Sequence, residues 1–550
     1  MGTFARSAFL VALAASACVL DARAQKSTIC TITVNSADER DSFRHYLSPD
    51  RFQFVELVER GRPDWLASAC KQQVQCDILI VSGHFAGTEF YSSKFDVSES
   101  LRVDEMERVQ CSGSCPGLFS QLKEVYLFGC DTLKPEPVRS ATPEIVRSLV
   151  RSGRPRSEAQ RLARGLSERH GESSRDLMRR IFADVPLIYG FYSLAPLGRT
   201  AGPLLTEFFE MGPSDEIGSG RPSDRLLALF GPASMTIASG LRDSDPNADF
   251  RRQSCQYFDD RVSLAQKVGL IHRTMRGNAA ELRMSFERIE RFFASVSENE
   301  RQDASLKQAL AALSRDRSTH ERYLSLVRDT EDPALRVRMI ALARTVGWLS
   351  AAQQRAETVR MMLDMLAGGL TYGEVDLICS LNKDRELDQE LHRFKVSKLS
   401  ADKTAHAAAR ACLGSAEGRK RVLRALASPD DRDVQIAQAY LRHRPIIDAG
   451  ELRAAAAGIA RMPGSSAQVR ALETLARHHI TDREILAVLA RMFTDATSVS
   501  VQRAIAEIFI RSDYRPIATP ELVALLRHHR LQSPDGVDLI DVLIGRLEGL

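Results

Sequence analysis

A chain of 550 residues, 44% of them hydrophobic, has apolar material for two or more domains, each with its own core. The 75 basic and 71 acidic residues give a formal charge of +4 and are mixed along the sequence. That balance excludes the concentrated basic surface of a nucleic-acid binder.

Arg6 precedes an apolar stretch, Ser7 to Leu20, and then Asp21-Ala22-Arg23-Ala24. Ala22-x-Ala24 is a signal-peptidase pattern, so residues 1–24 are expected to be a signal peptide and Gln25 the first mature residue. A rival reading takes Ala15-Ser16-Ala17-Cys18 as a lipoprotein box with an anchor on Cys18, although the usual leucine three residues earlier is missing. Loss of Arg6, Arg23 and Asp21 with the leader lowers the charge from +4 to +3. No other apolar run approaches the roughly 20 residues of a membrane span. The mature chain is therefore expected without a transmembrane span, exported into an oxidising compartment. Its Ala- and Arg-rich composition suggests a bacterial periplasm.

The next elements alternate. Residues 28–34 (TICTITV) read as a strand and 36–47 as a helix. Residues 52–58 (FQFVELV) read as a strand and 64–75 as a helix. A third strand lies in 77–87 (DILIVSGHFAG), followed by a short extended piece near 90–97 and a helix at 99–109. A cysteine loop leads to a fourth strand in 124–133 (EVYLFGCDTL). Residues 185–194 (VPLIYGFYSL) and 233–240 read as further strands. This alternation predicts βαβ units and a mainly parallel sheet.

Between the fourth strand and the next lies an insertion, 134–183, with helical periodicity and twelve Lys or Arg against six Asp or Glu. Arg151-Ser152-Gly153-Arg154-Pro155-Arg156 interrupts it. The segment reads either as a solvated helical hairpin or as a cleavable activation linker.

From about 262 to 550 the strand signal stops and amphipathic helices continue. LRVRMIALARTVG (335–347), VQIAQAYLRHRPI (434–446), VRALETLARHHI (469–480) and VQRAIAEIFIRSDY (501–514) resemble one another. The last three start 35 and 32 residues apart, and second helices follow at 451–461, 482–493 and 520–530. Helix pairs at such intervals predict an α-solenoid, in which each pair buries its apolar face on its neighbours. The region 370–400 fits the period poorly.

Nine cysteines follow the leader: Cys30, Cys70, Cys76, Cys111, Cys115, Cys130, Cys255, Cys379 and Cys412. An odd number in an exported chain leaves one thiol over. Cys130 is the natural one to stay free, though several of the others read equally as buried thiols. Cys111 with Cys115, closing the small loop CSGSC, and Cys379 with Cys412, on successive repeats, are the expected bridges. Cys111-x₃-Cys115 lacks the second ligand pair of a zinc site, so no metal is expected. No Walker, dinucleotide or G-x-S-x-G motif is present, so no cofactor is expected.

Two strands stop on a glycine followed by a reactive side chain: Gly83-His84 and, 46 residues on, Gly129-Cys130. Ligands and catalysis in an open parallel sheet sit beyond the carboxyl ends of the strands. An imidazole beside a thiol favours the nucleophilic thiolate.

In these residues the chain resembles the caspase-like cysteine peptidases of clan CD (caspases, metacaspases, legumain and CHAT-type peptidases), over about 26–255. There a hydrophobic strand ends in His-Gly and a later one in Ala-Cys or Gly-Cys, with the histidine about 50 residues before the cysteine. The resemblance implies a mainly parallel six-stranded sheet, His84 as general base and Cys130 as nucleophile. It also implies an oxyanion hole from the backbone N–H groups of Phe85 and Cys130. Phe85 stands where that family has glycine, and its side chain is expected to crowd the substrate. The segment after the next strand lines the substrate cleft in such folds, which makes Tyr192 and Ser193 expected substrate contacts. The helical repeats resemble degenerate HEAT repeats.

The expected architecture is thus a caspase-like α/β domain over 25–258, then an all-α HEAT-like solenoid over 262–550. The expected function is an exported cysteine endopeptidase acting on a protein or peptide substrate, with a protein partner on the repeats. The alternatives are an inactive scaffold and a different acyl transfer on the same dyad.

Overall fold

The computed structural model describes residues 26–92, 97, 99–115, 117–137, 142–151, 153–212, 215–387, 391, 403–532 and 538–549. The expected leader, with Cys18, lies outside them. The chain divides into two compact units, one extending to Arg315 and the other spanning Asp316–Leu550. The strands end before the expected boundary at 258–262, but the compact division comes later.

In the first unit the order is β1 (Ser27–Thr33), α1 (Asp38–Tyr46), β2 (Phe52–Glu56), α2 (Trp65–Lys71) and β3 (Ile78–Ser82). Three short strands follow, β4 (His84–Phe85), β5 (Glu89–Tyr91) and β6 (Leu101–Arg102), then α3 (Val103–Cys111) and β7 (Glu124–Phe128). The insertion forms α4 (Thr142–Arg151), α5 (Arg156–His170) and α6 (Ser174–Ile181). After β8 (Leu187–Phe191) come α7 (Ala201–Glu210), α8 (Asp224–Phe230), β9 (Met235–Ala238) and α9 (Ala248–Cys255). Helices α10 (Leu264–Arg276), α11 (Ala279–Ser295) and α12 (Ala304–Arg315) complete the unit.

The main sheet has six strands in the order β2-β1-β3-β7-β8-β9. All neighbours are parallel except β8 and β9. Strands β3, β7 and β8 are buried along their whole length, as strands covered on both faces must be. One apolar cluster joins Val81, Val125, Leu127, Trp65, Met106 and Phe182. The other, on the opposite face by strand alternation, joins Ile80, Tyr126, Phe128, Phe43, Phe208 and Phe230. The short strands β4-β5-β6 form a separate antiparallel sheet.

The insertion is a helical hairpin. Ile145, Ala163 and Ala280 form a small core joined by Val146, Leu166 and Met284, which seats α4 and α5 on α11. Arg283 pairs with Glu144 at 3.3 Å and Arg169 with Glu281 at 3.4 Å. The interruption at 151–156 separates α4 from α5, with Arg151, Gly153, Arg154 and Pro155 exposed. Ser152 lies outside the described residues.

In the second unit two rows of helices alternate. Thr404–Cys412, Asp431–His443, Ser466–Leu475, Val499–Arg511 and Leu539–Glu548 pack successively in one row. Ala416–Ala425, Ala449–Ala460, Arg483–Asp495 and Pro520–His529 form the other. This is the packing of an α-solenoid, each pair closed by the next. The joints carry caps that also pair: Asp482 accepts the N–H groups of Glu484 and Ile485 and meets Arg453 at 2.6 Å. Among the described residues no helix is long and apolar enough to cross a membrane.

Candidate active site

The expected dyad lies at the carboxyl edge of the main sheet. Strands β3 and β7 are adjacent and parallel, with Ser82 paired to Phe128. His84 and Cys130 therefore each stand two residues beyond the last paired position. The Gly83 N–H still donates to the Phe128 carbonyl at 3.1 Å. Both strand-ending glycines answer to space. A Cβ on Gly83 would stand 2.5 Å from Val34 Cγ2. One on Gly129 would stand 2.9 Å from the Gly83 carbonyl and 3.0 Å from Phe85 Cβ.

Beyond Gly83 the chain turns into the small sheet. His84 pairs with Tyr91, their rings 5.6 Å apart, and is half-buried. The Phe85 side chain is buried and packs on Phe90 with ring centroids 4.7 Å apart. The period-2 alternation of β4 sends successive side chains to opposite faces, so the histidine and the phenylalanine part ways.

Cys130 is the one free cysteine among the described residues and is half-buried. The Ala195 N–H donates to its Sγ at 3.3 Å. Asp131 has φ +59°, in the left-handed region, so the chain turns sharply just past the thiol. The Asp131 N–H donates to the Ser193 carbonyl at 2.7 Å and the Leu133 N–H to the Phe191 carbonyl at 2.9 Å. Thr132 Oγ1 donates to the Gly129 carbonyl and accepts the Phe191 N–H. These bonds fasten the thiol loop to the end of β8. Tyr192 and Ser193 are exposed on that same segment, and Leu194 is 75% exposed. The structure thus brings the Ser193 carbonyl and the Ala195 N–H to the loop that carries Cys130.

Four bridges join Cys30–Cys76, Cys70–Cys115, Cys111–Cys255 and Cys379–Cys412. The last was expected. The CSGSC loop was not closed on itself: Cys111 and Cys115 are both bridged, but to Cys255 and Cys70. The reason is geometric. Cys111 ends α3, facing α9, whereas Cys115 has passed on to the neighbourhood of α2.

Sequence reasoning missed three buried carboxyl groups. Glu39, fully buried on α1, takes three hydrogen bonds at the carboxyl edge. Glu107, on α3, meets Arg180 and, at 3.6 Å, Arg288. Burial acts to raise its pKa, but Arg180, Arg288 and Arg291 outweigh that and lower it. Glu124 is held by Gly218 and Gly220 N–H groups, and burial raises its pKa. No group of three or more His, Cys, Asp or Glu able to hold a metal occurs among the described residues.

A cavity of about 740 Å³ lies between the insertion and the chain near Leu241 and Asn247, with neither His84 nor Cys130 in its lining. A smaller cleft of about 370 Å³ lies at the ends of β1 and β2, lined by Asn35, Arg40, Glu56 and Arg60. Comparison with protein-family models, curated proteins and solved structures finds no match.

Proposed function

We propose that the protein is an exported, caspase-like cysteine endopeptidase with a His84–Cys130 dyad and HEAT-like repeats that bind a protein partner. The observation that carries this reading is the register of β3 on β7, which sets the free cysteine and a histidine at neighbouring strand ends. The six-stranded, mainly parallel sheet agrees with it. Four disulfides suit an oxidising compartment such as the periplasm.

In the proposed reaction His84 takes the Cys130 proton and the thiolate adds to a peptide carbonyl. The N–H groups of Phe85 and Cys130 hold the oxyanion. The C–N bond breaks as His84 returns the proton to the leaving amine. Water, deprotonated by His84, then splits the thioester and restores the thiol. Tyr192 and Ser193 contact the peptide.

A catalytically inactive scaffold is the second reading, favoured by the cavity of about 740 Å³ whose lining includes neither His84 nor Cys130. The test is incubation of the full chain, and of its Cys130→Ala and His84→Ala variants, with a peptide library read by mass spectrometry. Iodoacetamide labelling of Cys130 at neutral pH runs alongside. Cleavage by wild type alone supports the peptidase. No cleavage, with Cys130 reacting no faster than free cysteine, supports the scaffold.

A further inference from the structure

Glu39 is fully buried, yet no cation pairs with it among the contacts it makes. Its partners are instead three donors from three parts of the carboxyl edge. Ser36 Oγ, in the loop after β1, donates to Oε2 at 2.9 Å. Ser82 Oγ, the last residue of β3 and two before His84, donates to the same oxygen at 2.8 Å. The Gly198 N–H donates to Oε1 at 2.8 Å. Gly198 has φ +55°, and a Cβ there would stand 3.0 Å from Asp38 Oδ2, so the loop reaches the carboxyl group only as glycine.

Three residues before Gly198, the Ala195 N–H meets Cys130 Sγ. The same loop carries the exposed Tyr192 and Leu194. Glu39 therefore grips both sides of the candidate site: the end of β3, two residues before His84, and the loop that touches the thiol. A buried carboxyl group costs several kcal/mol to desolvate and is retained only where its bonds are made.

We propose that Glu39 is a positioning residue, which holds the 195–198 loop at the Cys130 sulfur and thereby sets the reactivity of that thiol. The proposal rests on the reading of Cys130 as the nucleophile. The Ala195 N–H is the hydrogen-bond donor that meets the sulfur, and Gly198, three residues on in the same loop, is anchored by Glu39.

The test uses the full chain as wild type, Glu39→Gln and Glu39→Ala, with Cys130→Ala as the labelling blank. The iodoacetamide rate at Cys130 and the melting temperature are measured together. Glu39→Ala should slow labelling at least fivefold in folded protein. Glu39→Gln keeps an oxygen for Gly198 but gives a neutral, weaker acceptor, so it should slow labelling about twofold. A purely structural residue would lower the melting temperature and leave the labelling rate of the folded protein unchanged; that result overturns the proposal. If Glu39→Ala does not fold, Glu39→Gln decides alone, and a wild-type rate again overturns it. Failure of the peptidase reading shows separately, as a wild-type Cys130 no more reactive than free cysteine, because the variant ratios are read whatever the wild-type rate.

Discussion

Replacing Glu107 by leucine should be among the most damaging single changes in the first unit. Glu107 is 7% exposed and Arg180 3%, and Arg288 reaches the same carboxylate oxygen at 3.6 Å. One carboxylate therefore compensates two guanidinium groups, from α6 and α11. Removing one partner of a buried pair costs about 3–5 kcal/mol, because the remaining charge is left without compensation. Arg180 keeps its bond to the His170 carbonyl, so the lower figure applies. With a urea dependence of about 3 kcal/mol per M, a loss of about 3 kcal/mol lowers the midpoint by about 1 M. The chain has two tryptophans, Trp65 in the first unit and Trp348 in the second. In a Trp348→Phe background, fluorescence during urea unfolding reports the first unit alone. The double variant Glu107→Leu, Arg180→Leu should be more stable than Glu107→Leu, since it buries one fewer unpaired charge. A Glu107→Leu loss below about 1 kcal/mol would refute the claim that this triad holds α3, α6 and α11 together.

Three further outcomes are expected. Burial, with Arg288 and Arg180 nearby, lowers the His170 pKa to about 2, so this ring stays neutral in the fold. The unfolded chain takes up a proton below about pH 6.5, so stability should fall by up to about 1.4 kcal/mol per pH unit on acidification from there, and less steeply in His170→Phe. Gly129→Ala should lose about 1–3 kcal/mol by calorimetry, since the added Cβ meets the Gly83 carbonyl; an unchanged melting temperature would mean the strand ends separate freely. Finally, a nick near Arg154 in wild type but not in Cys130→Ala would mark self-processing, and the seat of α4 and α5 on α11 predicts fragments that co-elute. Equal nicking in both proteins would assign the cut to an outside protease.

The strands were legible because their apolar runs are short and bounded by turn residues: TICTITV, DILIVSG and EVYLFG fall on β1, β3 and β7. The glycines that end two of them carried the spatial message, and the packing around Gly83 and Gly129 explains why. Helix pairing in the second unit was legible from repeat spacing. The cysteine partners were not, except for Cys379 and Cys412 on neighbouring helices, because the other bridges close loops of 45, 46 and 144 residues that only the tertiary fold brings together. Nor were the buried acids. Glu39 and Glu107 sit on short, charged helices that read as solvated, and only the elements packed against them supply their partners. The basic insertion likewise read as exposed, although Arg180 within it is among the most buried side chains of the unit.

The bridging pattern also has a bearing on how the chain matures. Cys111 lies four residues from Cys115 but must wait for Cys255, 144 residues later, to emerge. Short loops close at lower entropic cost, so an oxidant acting on a growing chain joins nearby thiols first. Cys111 with Cys115 is the trap closest to hand, and Cys130, which ends unbridged, stands only 15 residues beyond Cys115. Biogenesis of the first unit therefore calls for thiol–disulfide exchange rather than oxidation alone. A host strain lacking disulfide isomerase should accumulate the chain with a sealed CSGSC loop or with Cys130 captured.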